Sequence, residues 1–229
     1  MLWILLIIVI SGAVFLPSVW IKYVLHKYSQ PADRYREKGS GAELARHLLD
    51  QLELTDVQVE ESEAGDHYDP KARAVRLSPA NYAGHSLTAV TVAAHEVGHA
   101  IQDARDERWF RTRQRWVVTA TLGQRIAGLM LMVAPLLLVL TRMPHASVLM
   151  LLIGGASMAL GTIVHLVTLP VELDASYGKA LPILEQGGYL HDGDFPHAQK
   201  ILRAAALTYV AGSLASLLNL GRWIAVLRR

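Results

Sequence analysis

Residues 86–104 read SLTAVTVAAHEVGHAIQDA, and this stretch decides how the chain is expected to fold. Its first residue, Ser86, is a suitable N-cap, and the mainly apolar residues after it predict a helix over about residues 87–104. Side chains four residues apart project from one face of a helix, so His95 and His99 are expected to lie side by side. The alanines and valines around them indicate that the helix is buried.

Two imidazoles on one helical face can bind a single Zn²⁺ ion at about 2.0–2.1 Å each. Glu96 lies about 100° around the helix axis from His95, where it can reach a metal-activated water molecule without being a ligand. This arrangement is typical of zinc peptidases, in which the glutamate is the general base. The alternative is a pair of hydrogen-bonded core histidines, but three ionisable side chains on an apolar helix need a compensating partner, which a metal supplies.

A catalytic zinc ion usually has three protein ligands, so a third ligand is expected elsewhere in the chain. One extended form of the motif places Gly and His at positions that Gln102 and Arg105 occupy here, which excludes that class. The best candidate is Glu172, within the stretch LPVELDAS at residues 169–176. Its alternative role is an acidic residue near the start of a helix that follows Pro170.

Other polar side chains are candidates for supporting roles. Asp174 and Asp103 could orient a ligand imidazole, although each could equally be a solvated surface charge. Candidates for binding substrate or stabilising an oxyanion are His67, Tyr68 and His165, and His165 could instead satisfy packing between helices. The absence of cysteine excludes thiolate zinc sites, catalytic cysteine and disulfides.

Charge is distributed unevenly along the 229 residues, and only 18% of them are charged against about 25% in an ordinary soluble domain. Between Trp116 and Val171 the charged residues are Arg125 and Arg142 alone. Four apolar stretches have the length of a membrane-spanning helix: Met1–Ile21, about Val118–Leu140, about Ser147–Leu169 and about Ala204–Leu227. The first could instead be a cleaved signal peptide, and the fourth could lie at the membrane interface.

These features predict a mostly α integral membrane protein with about four transmembrane helices and a small α+β zincin-like catalytic domain. Five segments are expected: an anchor (residues 1–21), a catalytic domain (22–117), a transmembrane hairpin (118–169), a third-ligand segment (170–203) and a last transmembrane or interfacial helix (204–229). Within the catalytic domain, Gly41–Leu52 reads as a helix, and Leu54–Glu60 and Ala74–Leu77 read as strands. Lys and Arg are concentrated on the side of the polar segments, which predicts that this side is cytoplasmic.

The chain resembles the bacterial membrane neutral zinc metallopeptidases of the YugP-like type, which are gluzincin-type HExxH peptidases. The resemblance covers essentially the whole chain and is carried by DHYDP at residues 66–70, RLS at 76–78, AAHEVGHAIQ at 93–102 and LPVELDAS at 169–176. It implies a multi-pass peptidase of the bacterial inner membrane whose zinc ion is held by His95, His99 and Glu172. In more distant relatives an Asp stands where Ser176 stands here, which leaves the role of that Asp open in this chain, with Asp174 as a candidate substitute. A strand before the zinc helix binds substrate backbone in those relatives, and Ala74–Leu77 matches its position.

The sequence and the resemblance together predict a membrane-embedded, zinc-dependent endopeptidase. It would hydrolyse peptide bonds with zinc-activated water, with Glu96 as general base and one Zn²⁺ ion as cofactor. The expected partners are the lipid bilayer and polypeptide substrates associated with it, whereas near-equal numbers of acidic and basic residues argue against nucleic acid. The alternatives are a non-catalytic, zinc-stabilised membrane scaffold and a metal transporter. Oligomeric state and substrate identity are not predicted.

Overall fold

A computed structural model describes residues 2–141 and 167–208, together with positions 152, 164, 210 and 211. The described part of the chain is mostly helical, with one small sheet, as the sequence predicts. The helices are α1 (Leu2–Tyr28), α2 (Gly41–Gln51), α3 (Pro79–Tyr82), α4 (Leu87–Ala104), α5 (Arg108–Thr141) and α6 (Leu181–Gln186). Residues 195–208 are also helical, and Arg36–Lys38 form one 3-10 turn.

Helix α4 lies at the centre of the fold and has the bounds that the sequence predicts. The hydroxyl of Ser86 accepts a hydrogen bond from the backbone N–H of Ala89, which caps the start of the helix. Every residue from Leu87 to Gln102 is buried, because α2, the sheet and a later helical segment pack around α4. The three ionisable side chains of the histidine motif therefore lie in the interior.

The sheet has the strand order β1-β3-β2, with β1 at Gln58–Glu61, β2 at His67–Asp69 and β3 at Ala74–Leu77. Strand β3 is central, parallel to β1 and antiparallel to β2. Both of its edges are therefore occupied by strands of this chain, and the expectation that it adds a substrate strand is wrong. The bounds predicted for β3 are confirmed, whereas β1 begins later than predicted and β2 was not predicted.

Residues 169–186, which we call the Glu172 segment, form a continuous helical rod with a change of pitch. Residues 169–173 are α-helical, Asp174–Ala180 form a π-helix, and α6 follows. Pro182 has no N–H, so it cannot make the α-helical hydrogen bond to the carbonyl four residues earlier. The N–H of Leu181 donates to the carbonyl of Ser176, five residues earlier. Such π-helical insertions are frequent at functional sites.

The chain divides into two compact units. One comprises Pro17–Phe110 and Leu169–Thr208 and contains the sheet, α2, α4 and the Glu172 segment. The other comprises Met1–Leu16, Arg111–Thr168 and Tyr209–Arg229. The side chains of the candidate site described below all belong to the first unit, while the five-segment division of the chain stays a prediction.

The prediction of about four transmembrane helices is wrong for the part of the chain that the structure describes. No helix among the described residues is long and apolar enough to cross a membrane. Most of the third and fourth apolar stretches lies outside the described residues. The integral-membrane fold class and the multi-pass inner-membrane localisation are therefore not supported, and contact with lipid stays a prediction.

Candidate metal centre

Three ligand-capable side chains converge between α4 and the Glu172 segment. The Nε2 atoms of His95 and His99 lie 3.2 and 3.3 Å from Oε2 of Glu172, and the possible ligand atoms all lie within 4.8 Å of one another. The side chains are 4%, 6% and 2% exposed, respectively. Two atoms bound tetrahedrally to one ion at 2.0–2.1 Å would be about 3.3–3.4 Å apart. The observed spacing therefore fits a single metal ion.

The hydrogen bonds of Gln102 determine which nitrogen of His99 faces Glu172 with a lone pair. The Nε2 of Gln102 donates to the carbonyl of Val171 at 2.9 Å and to Oδ2 of Asp174 at 2.8 Å. Its Oε1 is therefore the atom 2.9 Å from Nδ1 of His99, and this oxygen can only accept. Nδ1 of His99 must carry the hydrogen, so Nε2 of the neutral ring presents a lone pair.

Ser176 determines in the same way which nitrogen of His95 carries the hydrogen. Its hydroxyl donates to the carbonyl of Leu202 at 3.2 Å and accepts from Nδ1 of His95 at 3.1 Å. In the neutral rings, two nitrogen lone pairs and a carboxylate oxygen then face one another in a buried space. Three acceptors in such an arrangement repel one another unless a cation lies between them. The chemistry of the donor set thus fits a metal ion, and two imidazoles with one carboxylate suit zinc.

Glu172 is ionised in this environment. Burial alone would raise its pKa, but the imidazoles of His99 and His95, when they are protonated, outweigh burial and hold the pKa well below its usual range. A carboxylate that is ionised at neutral pH is ready to bind a cation without first losing a proton.

Glu96, the predicted general base, is 6% exposed and lies on α4 between the two histidines in sequence. The helix directs its side chain about 100° around the axis from His95, which keeps it out of the ligand set. Glu96 is therefore a buried carboxylate on the same helix as the two histidines, and it is not one of the three candidate ligands.

Asp174 lies next to the site but contacts neither imidazole in the hydrogen bonds described. It accepts from Gln102 and from Nζ of Lys179, which is 2.7 Å away. Lys179 also lies 3.0 Å from Glu107, and its side chain is 12% exposed. Burial raises the pKa of Asp174, yet Lys179 and Gln102 outweigh burial and lower it. Asp174 therefore reaches His99 only through Gln102, while Ser176 itself contacts His95.

The remaining predicted candidates have other partners or cannot be placed. Asp103 accepts the hydroxyl of Tyr68 at 2.7 Å rather than an imidazole N–H. Burial and this hydrogen bond raise the pKa of Tyr68. Nδ1 of His67 lies 3.0 Å from the carbonyl of Gly65, a local contact. His165 lies outside the described residues. The substrate or oxyanion roles of His67, Tyr68 and His165 stay predictions.

Comparison with known proteins identifies the family. A model of the family described as "Putative neutral zinc metallopeptidase" matches residues 3–228. The chain belongs to this neutral zinc metallopeptidase family. It is also 35% identical over 229 residues to the "Putative membrane protease YugP" of Bacillus subtilis (strain 168), a match that covers 99% of this chain and 96% of the relative. No solved structure matches.

The side chains that orient the histidines in this metallopeptidase family member were not predicted from sequence. Ser176 and Gln102 are neutral, whereas the side chains predicted for this role, Asp174 and Asp103, are carboxylates, which commonly orient ligand imidazoles. Gln102 lies three residues after His99, on the same helical face, which is the one local signal that could have indicated it.

Gly98 allows α4 and the Glu172 segment to approach closely. A Cβ atom at this position would lie 2.8 Å from the backbone carbonyl oxygen of Ala175, three residues after Glu172. Backbone atoms cannot move aside as a flexible side chain can, so any larger residue must separate the two elements. The glycine within the histidine motif therefore controls the distance between the histidines and Glu172.

We expect Gly98→Ala to weaken zinc binding about 10-fold or more and to destabilise the metal-free protein by about 1–3 kcal/mol, as overpacking does. Alanine alone would favour the helix by about 1 kcal/mol, so a net loss would show that the clash dominates. Gly128→Ala is the matched control, because Gly128 is also helical and a Cβ there meets nothing within 4 Å. Thermal unfolding in chelator and competition with a zinc indicator measure both effects. Equal values for wild type and Gly98→Ala would contradict the close-approach argument.

Proposed function

We propose that this protein is a zinc-dependent endopeptidase that holds one Zn²⁺ ion through His95, His99 and Glu172. The observation that carries the proposal is the convergence of two Nε2 lone pairs and the Glu172 carboxylate, at spacings that suit one ion. The family name supports zinc as the metal and peptides as the substrate class.

Bound zinc would supply Lewis acidity, polarising the scissile carbonyl and lowering the pKa of water. The carboxylate of Glu96 would take one proton from the attacking water as its oxygen forms a bond to the carbonyl carbon. Glu96 would then pass this proton to the amide nitrogen as the carbon–nitrogen bond breaks, so that it ends the reaction ionised. Ser176 and Gln102 would hold the imidazoles in the orientation that the ligands need.

A metal-dependence experiment tests this function. Purified protein is incubated with a peptide library made from a digested bacterial proteome, and new termini are identified by mass spectrometry. We expect cleavage by the zinc-loaded protein, loss of cleavage after removal of metal with 1,10-phenanthroline, and recovery when Zn²⁺ replaces the chelator. Cleavage that persists in the metal-free protein, or a zinc-loaded protein that cleaves no peptide, would contradict the proposal.

Neither alternative function is favoured by a particular observation. Among the described residues, His95, His99 and Glu172 form the one group of three such side chains placed to hold a metal ion. A transport path would need several sites in succession. A zinc-stabilised scaffold would need the three ligands but not Glu96, so the rate of peptide hydrolysis by Glu96→Gln separates it from an enzyme.

A further inference from the structure

Gln102 joins the two elements that supply the metal ligands. It lies on α4 three residues after His99, and it is 1% exposed. Its amide oxygen accepts from the His99 ring, and its amide nitrogen donates to the carbonyl of Val171 and to Asp174. Val171 immediately precedes Glu172, so one side chain connects a ligand on α4 to the backbone beside the ligand on the Glu172 segment.

The orientation of this amide is determined by its two acceptors on the Glu172 segment. The carbonyl of Val171 cannot donate, and an ionised Asp174 cannot donate either. An amide rotated by 180° would place its oxygen against both of them and its NH₂ group against His99. That arrangement would require the opposite tautomer of His99, with a hydrogen on Nε2 where a metal must bind.

The position of Asp174 is fixed in turn by Lys179. The ammonium group of Lys179 lies 2.7 Å from Asp174 and 3.0 Å from Glu107, and little of it is exposed. The chain of contacts therefore runs from His99 through Gln102, Asp174 and Lys179 to Glu107 at the end of the α4–α5 connection. Lys179 therefore keeps the negatively charged Asp174 next to the NH₂ group of the Gln102 amide.

We propose that Gln102 is a positioning residue that sets the tautomer of His99 and couples it to the Glu172 segment, with Asp174 holding the amide in the required orientation. This inference rests on the metal site of the proposed function. It differs from a packing role, because it depends on which atom of the side chain donates and which accepts.

An exchange of donor and acceptor between positions 102 and 174 tests the proposal. In Gln102→Glu, the new carboxylate can accept from His99 but places oxygen against the Val171 carbonyl and Asp174, so we expect zinc affinity to fall 10–100-fold. Adding Asp174→Asn supplies an amide that can donate to the new carboxylate, so the double variant should recover most of that loss. Asp174→Asn alone should not strengthen zinc binding.

The dissociation constants for zinc come from competition with a zinc indicator. The unfolding temperature of each metal-free variant shows whether that variant is folded.

A second readout follows the tautomer directly. In metal-free protein at pH 8, ¹⁵N NMR of the histidine rings should show hydrogen on Nδ1 of His99, and Gln102→Leu should abolish this preference. A double variant that binds zinc no better than Gln102→Glu, or a tautomer that is unchanged in Gln102→Leu, would overturn the positioning role. If wild type binds zinc through the three ligands but the Gln102 variants bind it equally well, this inference fails and the proposed function stands. If wild type binds no zinc, both fail.

Discussion

Glu96→Gln should lower the rate of peptide hydrolysis by about 100-fold or more while the protein keeps its zinc. A positioned general base contributes roughly 10²–10⁴ to the rate, and a glutamine amide cannot take a proton from water at neutral pH. The amide has nearly the same volume as the carboxylate, so the buried surroundings of residue 96 should be little changed. Hydrolysis of a peptide found in the library experiment gives the rate, and metal analysis gives the zinc content.

Glu185→Gln is the matched control. Glu185 is an exposed glutamate on α6, so this substitution makes the same chemical change outside the metal site. Its rate and zinc content should equal those of wild type. A non-catalytic zinc scaffold predicts that Glu96→Gln and Glu185→Gln behave alike in every assay. Hydrolysis by Glu96→Gln at the wild-type rate would therefore reject Glu96 as general base.

Glu172→Gln should reduce zinc affinity by more than the 10–100-fold that is usual when an outer partner of a metal ligand is lost. The substitution removes the buried negative charge between the two imidazoles and leaves an amide, which is a weaker zinc ligand. It preserves the side-chain volume next to His95 and His99, so the loss can be assigned to ligand chemistry and not to a cavity. When the zinc concentration is limiting, the rate of peptide hydrolysis by Glu172→Gln should fall in proportion to the fraction of protein that has lost its zinc.

The measurement for Glu172→Gln is a dissociation constant from indicator competition, with Glu185→Gln again as the control. Undiminished zinc content in Glu172→Gln at limiting metal would reject Glu172 as the third ligand. Partial rescue of hydrolysis by excess zinc would support the assignment, because it separates weakened binding from a damaged fold.

The sequence predicts the local parts of this centre well because they depend on the geometry of one helix. The N-cap at Ser86, the bounds of α4 and the common face of His95 and His99 all follow from helical periodicity. Glu172 is 73 residues after His99, and no periodicity connects them; the sequence offered Glu172 as one candidate with an alternative role, and the family resemblance strengthened it.

The supporting contacts could not be predicted because they arise from the approach of separate elements. Gln102 and Ser176 contact the imidazoles through backbone positions that the π-helix and Gly98 set, and neither feature is visible as a chemical motif. The central position of β3 depends on the three-residue strand β2, which is too short for a clear pattern. The transmembrane prediction used the length of the apolar stretches and the positions of the charged residues, whereas no helix among the described residues is long and apolar enough to cross a membrane.

Titration of zinc into metal-free wild-type protein, with peptide hydrolysis followed at each addition, tests the central claim most directly. If one ion held by His95, His99 and Glu172 supports catalysis, binding and rate should rise together and reach a plateau at one zinc per chain. Hydrolysis that is already maximal without zinc, or a rate that does not change as one equivalent binds, would contradict the account.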